Sequence, residues 1–162
     1  MGGQGTKRWC AGRPDYHGRM TALPPGARAF LAQGMFAHIV TLNPDGTPHV
    51  SLAWAGVDGD DIVWATFSDQ HKIENLRRDP RISLSFQAHE SGGELLHPYL
   101  VVRGRAVVAQ GGAMEVMDHL APVYLGPGAP FPLRDMPSGF KVRVEVDKVY
   151  GQGAWRKDDT AA

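Results

Sequence analysis

Cysteine is almost missing from this chain. Cys10 stands alone among 162 residues, so no internal disulfide framework can form, and the composition fits a reducing, cytoplasmic compartment. An excess of one charge is missing too: Lys plus Arg and Asp plus Glu number 17 each, which leaves no net field to recruit nucleic acid or an anionic membrane. No apolar run approaches the roughly 20 residues a membrane helix requires, and Met1 to Met20 holds no apolar segment of the kind a signal peptide carries. Gly2 and Thr6 match the myristoylation pattern only as an accident of a glycine-rich start.

The usual catalytic signatures are missing as well. Seven histidines show no HxxxH and no Cys/His spacing, so no metal site is expected. No G-x-S-x-G elbow, Walker loop or G-x-G-x-x-G follows a strand in the required setting. With so few side chains suited to covalent or acid–base chemistry, no catalytic residue is assigned, and activity would rest on a bound organic cofactor.

What is present centres on Ala65 to Arg81. The apolar run Asp61 to Phe67 reads as a strand, Ser68-Asp69 can cap a helix, and Ile73 and Leu76 share one helical face. Arg77 and Arg78 suit the helix C-terminus, and Pro80 ends it. Lys72 sits in the first turn beside Gln70 and His71, where unpaired backbone N–H groups can hold an anion. Two readings stay open on these residues alone: a phosphate seat, or a capped helix with a solvated lysine.

Elsewhere the pattern is of strands. Residues 1–22 lack apolar periodicity and read as a flexible arm. Pro24-Pro25-Gly26 opens a short helix with Ala27, Phe30 and Leu31 on one side. Phe36 to Asn43, His49 to Ala55 and the strand ending at Thr66 read as a three-strand meander turning at Pro44-Asp45-Gly46-Thr47 and Asp58-Gly59-Asp60. Arg81 to Gln87 and Tyr99 to Ala109 follow as strands, the second with Arg103 and Arg105 on the face of Tyr99, Val101 and Val107. A helix from about Ala113 to Tyr124 has an irregular last turn at Pro122, and Tyr124, Phe131 and Leu133 can anchor the loop after it. Phe140 to Tyr150 alternates most cleanly, with Phe140, Val142, Val144 and Val146 on the core side. Six mostly antiparallel strands with short helices predict a mainly β domain over 23–156, a small closed or half-open barrel, with a loose tail at 157–162.

The run His71-Lys72-Ile73-Glu74-Asn75-Leu76-Arg77-Arg78-Asp79-Pro80-Arg81, then Ile82-Ser83-Leu84, resembles the hallmark of the pyridoxamine-phosphate-oxidase-like split-barrel superfamily, and within it the branch that uses the deazaflavin coenzyme F420. Family-like pieces recur in order: Asp45-Gly46-Thr47-Pro48-His49-Val50-Ser51, Val102-Arg103-Gly104-Arg105-Ala106, Tyr124-Leu125-Gly126, and Val142 to Trp155. The resemblance implies a six-stranded antiparallel split β-barrel that forms a homodimer, with a cofactor in each groove between barrels and a small-molecule substrate. By position, Lys72 would bind the phosphate, with Thr66, Gln70 and Asn75 around it. His49, Val50, Ser51 and Ala65 would meet the ring or ribityl chain, and Trp155 either walls the groove or is a plain core aromatic.

Many relatives carry arginine where this chain has Gln70, and FMN-type relatives favour Arg-Lys where it has His71-Lys72, so one charge-assisted phosphate contact is lost. The implied reaction is hydride transfer from the reduced deazaflavin to an electron-poor conjugated acceptor, with the proton drawn from water or from a side chain; His49 and Tyr150 are the candidates, each also readable as structural. An FMN-dependent oxidase or reductase on the same barrel, and a non-enzymatic cofactor or ligand binder, are the alternatives.

Overall fold

The computed structural model describes residues 23–68, 70–90 and 95–153; the predicted N-terminal arm, Asp69, residues 91–94 and everything from Ala154 on, Trp155 included, lie outside the described residues. Three helices and seven strands follow one another: α1 (Pro25–Leu31), β1 (Ala37–Leu42), β2 (Pro48–Ala53), β3 (Ala55–Asp58), β4 (Asp61–Thr66), α2 (His71–Arg78), β5 (Arg81–Gln87), β6 (Tyr99–Gln110), α3 (Ala113–Leu125) and β7 (Phe140–Gln152). The mainly β reading holds, with one correction to strand count and pairing. The expected second strand stops at Ala53, and β3 begins after Trp54.

The sheet runs β2-β1-β5-β6-β7-β4-β3, antiparallel in each pairing. There is therefore no meander of β1, β2 and β4. Hairpin β1–β2 lies at one end of the order and hairpin β3–β4 at the other, although β2 and β3 are separated in the chain by Trp54 alone. Two edges one residue apart can coexist only if the sheet curls until they meet. Because β2 and β3 share no ladder, the barrel is split along that seam.

The interior is filled by Ile39, Ile62, Trp64, Leu84, Phe86, Leu100, Val102, Val142 and Val144, with Ile73 and Leu76 of α2 packed into the same cluster. On β1 the inward residues are Ala37, Ile39 and Thr41, so the apolar set Phe36, His38, Val40 and Leu42 faces outward or is half-covered. Strand β4 is buried on both faces: Val63 and Ala65 lie beneath Ala113, Val116 and Leu120 of α3, while Ile62 and Trp64 enter the barrel.

Trp54 marks the corner where the chain passes from one edge to the other, and an aromatic clamp holds it. Tyr124 stacks on Trp54 with centroids 4.6 Å apart, Phe131 meets Trp54 edge-on at 5.8 Å, and Phe131 stacks on Phe67 at 5.6 Å. Phe131 is thus an anchor of the proline-rich loop, whereas Leu133 is exposed. The Tyr124 hydroxyl accepts from the Ala55 N–H at 3.0 Å and reaches the carbonyls of Met35 at 2.7 Å and Ala55 at 2.8 Å. Tyr124→Phe leaves these backbone groups without that partner, and urea unfolding is expected to show a loss of about 1–3 kcal/mol. An unchanged midpoint would mean that the clamp is held by ring stacking alone.

Candidate cofactor site at the barrel seam

The seam brings three pieces of chain together. One is β2, which has a neighbour only in β1 and so leaves the other side of its backbone unpaired. The second is the end of β4, where Ala65 and Thr66 pair with β7 but extend past the last β3 partner, at Trp64. The third is the start of α2.

Helix α2 begins without a side-chain cap. Its N-cap is Gln70 in extended conformation, and the Gln70 carbonyl accepts from the N–H groups of Ile73 at 2.7 Å and Glu74 at 3.3 Å. The expected Ser68-Asp69 cap is therefore displaced: Ser68 lies outside the helix start, and Asp69 is not described. The N–H groups of His71 and Lys72 precede the first helical bond, the position from which a helix binds anions.

Lys72 follows a different course from a solvated first-turn lysine. It is 6% exposed, and its Nζ lies 5.2 Å from the centroid of the Trp64 ring. No hydrogen bond or ion pair among the described residues engages it. Burial holds its pKa below the usual lysine value. An ammonium so placed gains something from the indole face yet keeps most of its desolvation cost, which an anion would offset.

Across the seam, His49 and Ser51 face the barrel side of β2, paired in register with Thr41 and Ile39 of β1. His49 Nδ1, Ser51 Oγ and Trp64 Nε1 are buried without a hydrogen-bond partner. Such orphans are uncommon in a finished interior. The His49 and His71 rings meet at 5.1 Å, joining β2 to α2. Thr66 is buried on β4, its Oγ1 donating to the Ser68 carbonyl at 3.4 Å.

The other predicted contacts divide by geometry. Val50 points away from the barrel, 59% exposed, and the Ala65 side chain packs under α3, so either could meet a ligand in the seam through backbone only. Gln70 is exposed at the helix start. Asn75 is fully buried and its amide is committed: Nδ2 donates to Thr41 Oγ1 and Asn43 Oδ1, both at 3.1 Å, while Oδ1 accepts from Arg78 at 3.2 Å. It pins α2 to the end of β1 and thereby positions Lys72. Arg78 adds a bond to the Leu42 carbonyl.

Sequence reasoning missed Trp64, Thr41 and Asn43. Thr41 offered a signal, a polar residue in the inward phase of a strand. Asn43 Nδ2 donates to Thr47 Oγ1, which fixes the amide so that Oδ1 accepts from Asn75 and faces His71 Nε2 at 2.9 Å.

The far end of α2 has its own lock. Arg81 donates from Nε and an Nη to the Asp79 carboxylate, the latter at 2.5 Å, which draws the Asp79 pKa down to about 2. A carboxyl depressed in the fold stabilises it fully above the unfolded value near 3.8, and that contribution disappears as pH falls through about 2. Acid unfolding of Asp79→Asn is accordingly expected to show a shallower stability loss between about pH 4 and 2; identical slopes would show that the pair adds nothing.

Among the described residues no group of three or more His, Cys, Asp or Glu side chains is arranged to hold a metal ion, and no helix is long and apolar enough to cross a membrane. No curated protein sequence matches the chain. Solved structures do match its fold: an F420 reductase at 24% identity, over 80% of this chain and all of the other, with TM-score 0.66; a conserved hypothetical protein of Mycobacterium tuberculosis at 21%, over 89% and 92%, with TM-score 0.66; and HupZ of Group A Streptococcus at 15%, over 79% and 93%, with TM-score 0.57. The family model for pyridoxamine 5'-phosphate oxidase matches residues 23–127, a span that includes α1, the split between β2 and β3, the whole of α2 and α3. By that match and by its seven-stranded split barrel, the chain belongs to the pyridoxamine 5'-phosphate oxidase family.

Proposed function

We propose that the protein is an F420-dependent oxidoreductase, which passes a hydride from the reduced deazaflavin to a conjugated, electron-poor small molecule. The observation that carries this reading is Lys72: a buried ammonium without an anionic partner, at an uncapped helix start, opposite a strand that holds two orphaned polar atoms. The residues fit a phosphate-bearing ring cofactor. Lys72 and the His71 and Lys72 N–H groups would hold the phosphate, and His49 Nδ1 and Ser51 Oγ would satisfy polar atoms of the ring or its chain.

When bound, the deazaflavin supplies a hydride at C5; the protein's part is to orient and to exclude water. The barrel wall beneath Lys72 is dry, because Trp64 and Ile62 are fully buried. The contact of the His49 ring with His71 at the exposed helix start supports His49 as a candidate to deliver a proton, beside water. A second copy of the chain would complete the groove by covering the outward apolar residues Phe36, Val50 and Leu52, which are 45%, 59% and 53% exposed. His71-Lys72, where FMN-type relatives favour Arg-Lys, supports F420 over FMN. A cytoplasmic setting agrees with the single Cys10.

Titration of the purified protein with F420 and with FMN, followed by fluorescence and calorimetry, tests the reading. Tight FMN binding with no F420 response would replace it by the flavin alternative. Oxidation of pre-reduced F420 by an acceptor panel in single turnover then separates a reductase from a binder.

A further inference from the structure

Resting on the cofactor reading, we propose that Asn43 is a positioning residue of the seam: its side-chain amide ties the start of β2 to the start of α2, and so sets the spacing of the two walls that would hold the cofactor's phosphate. Asn43 directly follows β1 and is half-buried. Its backbone closes the turn, the N–H donating to the Thr47 carbonyl at 2.8 Å and the carbonyl accepting from the Gly46 N–H at 2.9 Å. Its side chain reaches in two directions. Nδ2 donates to Thr47 Oγ1 at 3.0 Å, while Oδ1 accepts from Asn75 Nδ2 at 3.1 Å and lies 2.9 Å from His71 Nε2.

The orientation of the amide follows from Asp45. The Asp45 carboxylate accepts from the Thr47 N–H at 2.9 Å and from the Thr47 hydroxyl at 2.6 Å, so that hydroxyl has only a lone pair left for Asn43. The amide nitrogen therefore faces Thr47, and the oxygen is left to α2. His71 and Asn75 lie four residues apart on one face of that helix, and both reach the turn through this one oxygen. Two fixed points on one face set the rotation of a short helix about its axis. Lys72, about 100° round from His71, is held inward by it.

Attachment of α2 to the barrel does not require this bond. Asn75 also donates to Thr41 Oγ1, Arg78 donates to the Leu42 carbonyl, and Ile73 and Leu76 are packed in the core. What Asn43 adds is the link to β2. That strand pairs with β1 alone, and Thr47 immediately precedes it, with His49 two positions further on. The His49 ring returns to His71 at 5.1 Å, so the contacts close a loop: Asn43, Thr47, His49, His71 and back to Asn43. The unpartnered His49 Nδ1 and the buried Lys72 ammonium stand on the two walls that this loop holds together. The hub is also neutral. A carboxylate at position 43 could accept from His71 and Asn75 alike, yet it would set a negative charge beside the proposed phosphate seat.

The test compares full-length wild type, Asn43→Ala and Asn43→Asp in binding F420 and the deazariboflavin core that lacks the phosphate. Each variant is expected to lose about tenfold in affinity for F420 while binding the core as the wild type does. In Asn43→Asp the loss should shrink with added salt, because it comes from charge. Melting temperatures should stay close to the wild-type value, since the bonds to Thr41 and Leu42 remain. In the cofactor-free protein, Asn43→Ala should shift the imidazole NMR resonances of His49 as well as those of His71, although His49 lies one step further round the loop. A mere brace of the fold would lower the melting temperature and weaken both ligands in parallel. That result, unchanged F420 affinity in both variants, or a shift confined to His71 would overturn the proposal. A wild type that takes FMN and not F420 would end the cofactor reading, and FMN against riboflavin would then decide the role of Asn43 in the same way. If neither pair binds, the cofactor reading fails and the His49 resonances decide.

Discussion

Lys72→Met is expected to weaken F420 binding by roughly a hundredfold and, at the same time, to raise the melting temperature of the cofactor-free protein. The two signs come from one cause. A charge-assisted bond to a phosphate is worth about 1.5–3 kcal/mol, and methionine fills nearly the same volume without a charge. In the free protein the ammonium is buried over Trp64 and lacks a counter-ion, so its removal relieves desolvation worth about 1 kcal/mol, or some 2–4 °C in a chain of this size.

A pH readout isolates the cause. The Lys72 pKa is lowered by burial, so the folded state binds fewer protons than the unfolded one between the two values. Lys72 therefore contributes a rise of stability with pH through that window, below the ordinary 10.5, and that contribution should be missing in Lys72→Met. A lysine that merely braces the barrel would give a lower melting temperature in the variant, and unchanged F420 affinity would place the phosphate elsewhere.

Gly104→Ala is expected to cost about 3 kcal/mol, on the order of 6–12 °C, although the glycine sits in the middle of a strand with an ordinary backbone conformation. A Cβ there would stand 2.2 Å from the Glu145 carbonyl oxygen and 3.1 Å from its carbon, next to the bulge in β7. Backbone cannot step aside as a side-chain tip can, so the β6–β7 ladder must open. Gly46→Ala is the control. Gly46 has φ +84 in the turn before β2, with nothing within 4 Å of its would-be Cβ. Its substitution should cost only the left-handed penalty, about 1–2 kcal/mol. Thermal melts of the two variants separate conformational preference from collision; equal losses would mean that the close approach at Gly104 is relieved by a small shift of β7.

Those two glycines also show where the sequence can be read and where it cannot. Gly46 follows Pro44-Asp45 between alternating runs, and local chemistry alone marks it as a turn; Gly104 looks like any strand glycine until β7 is laid beside it. The same division runs through the site. Ile73 and Leu76 announce the buried face of α2 by spacing, and Pro80 announces its end, because both effects act within a few residues. Asn75 carries no such label. Its amide bonds to Thr41 and Asn43, more than 30 positions earlier, and only their meeting makes it the pin of α2.

The chain's own order of residues settled the strand segments, the abrupt little helix and the lysine in its first turn, since periodicity, turn chemistry and charge placement are local properties. The three-dimensional packing settled the rest: that Trp54 breaks one expected strand into two, that the broken ends form a seam, and that Lys72 turns inward over an indole. Those outcomes depend on which distant surfaces a curled sheet brings face to face, and no local pattern encodes that.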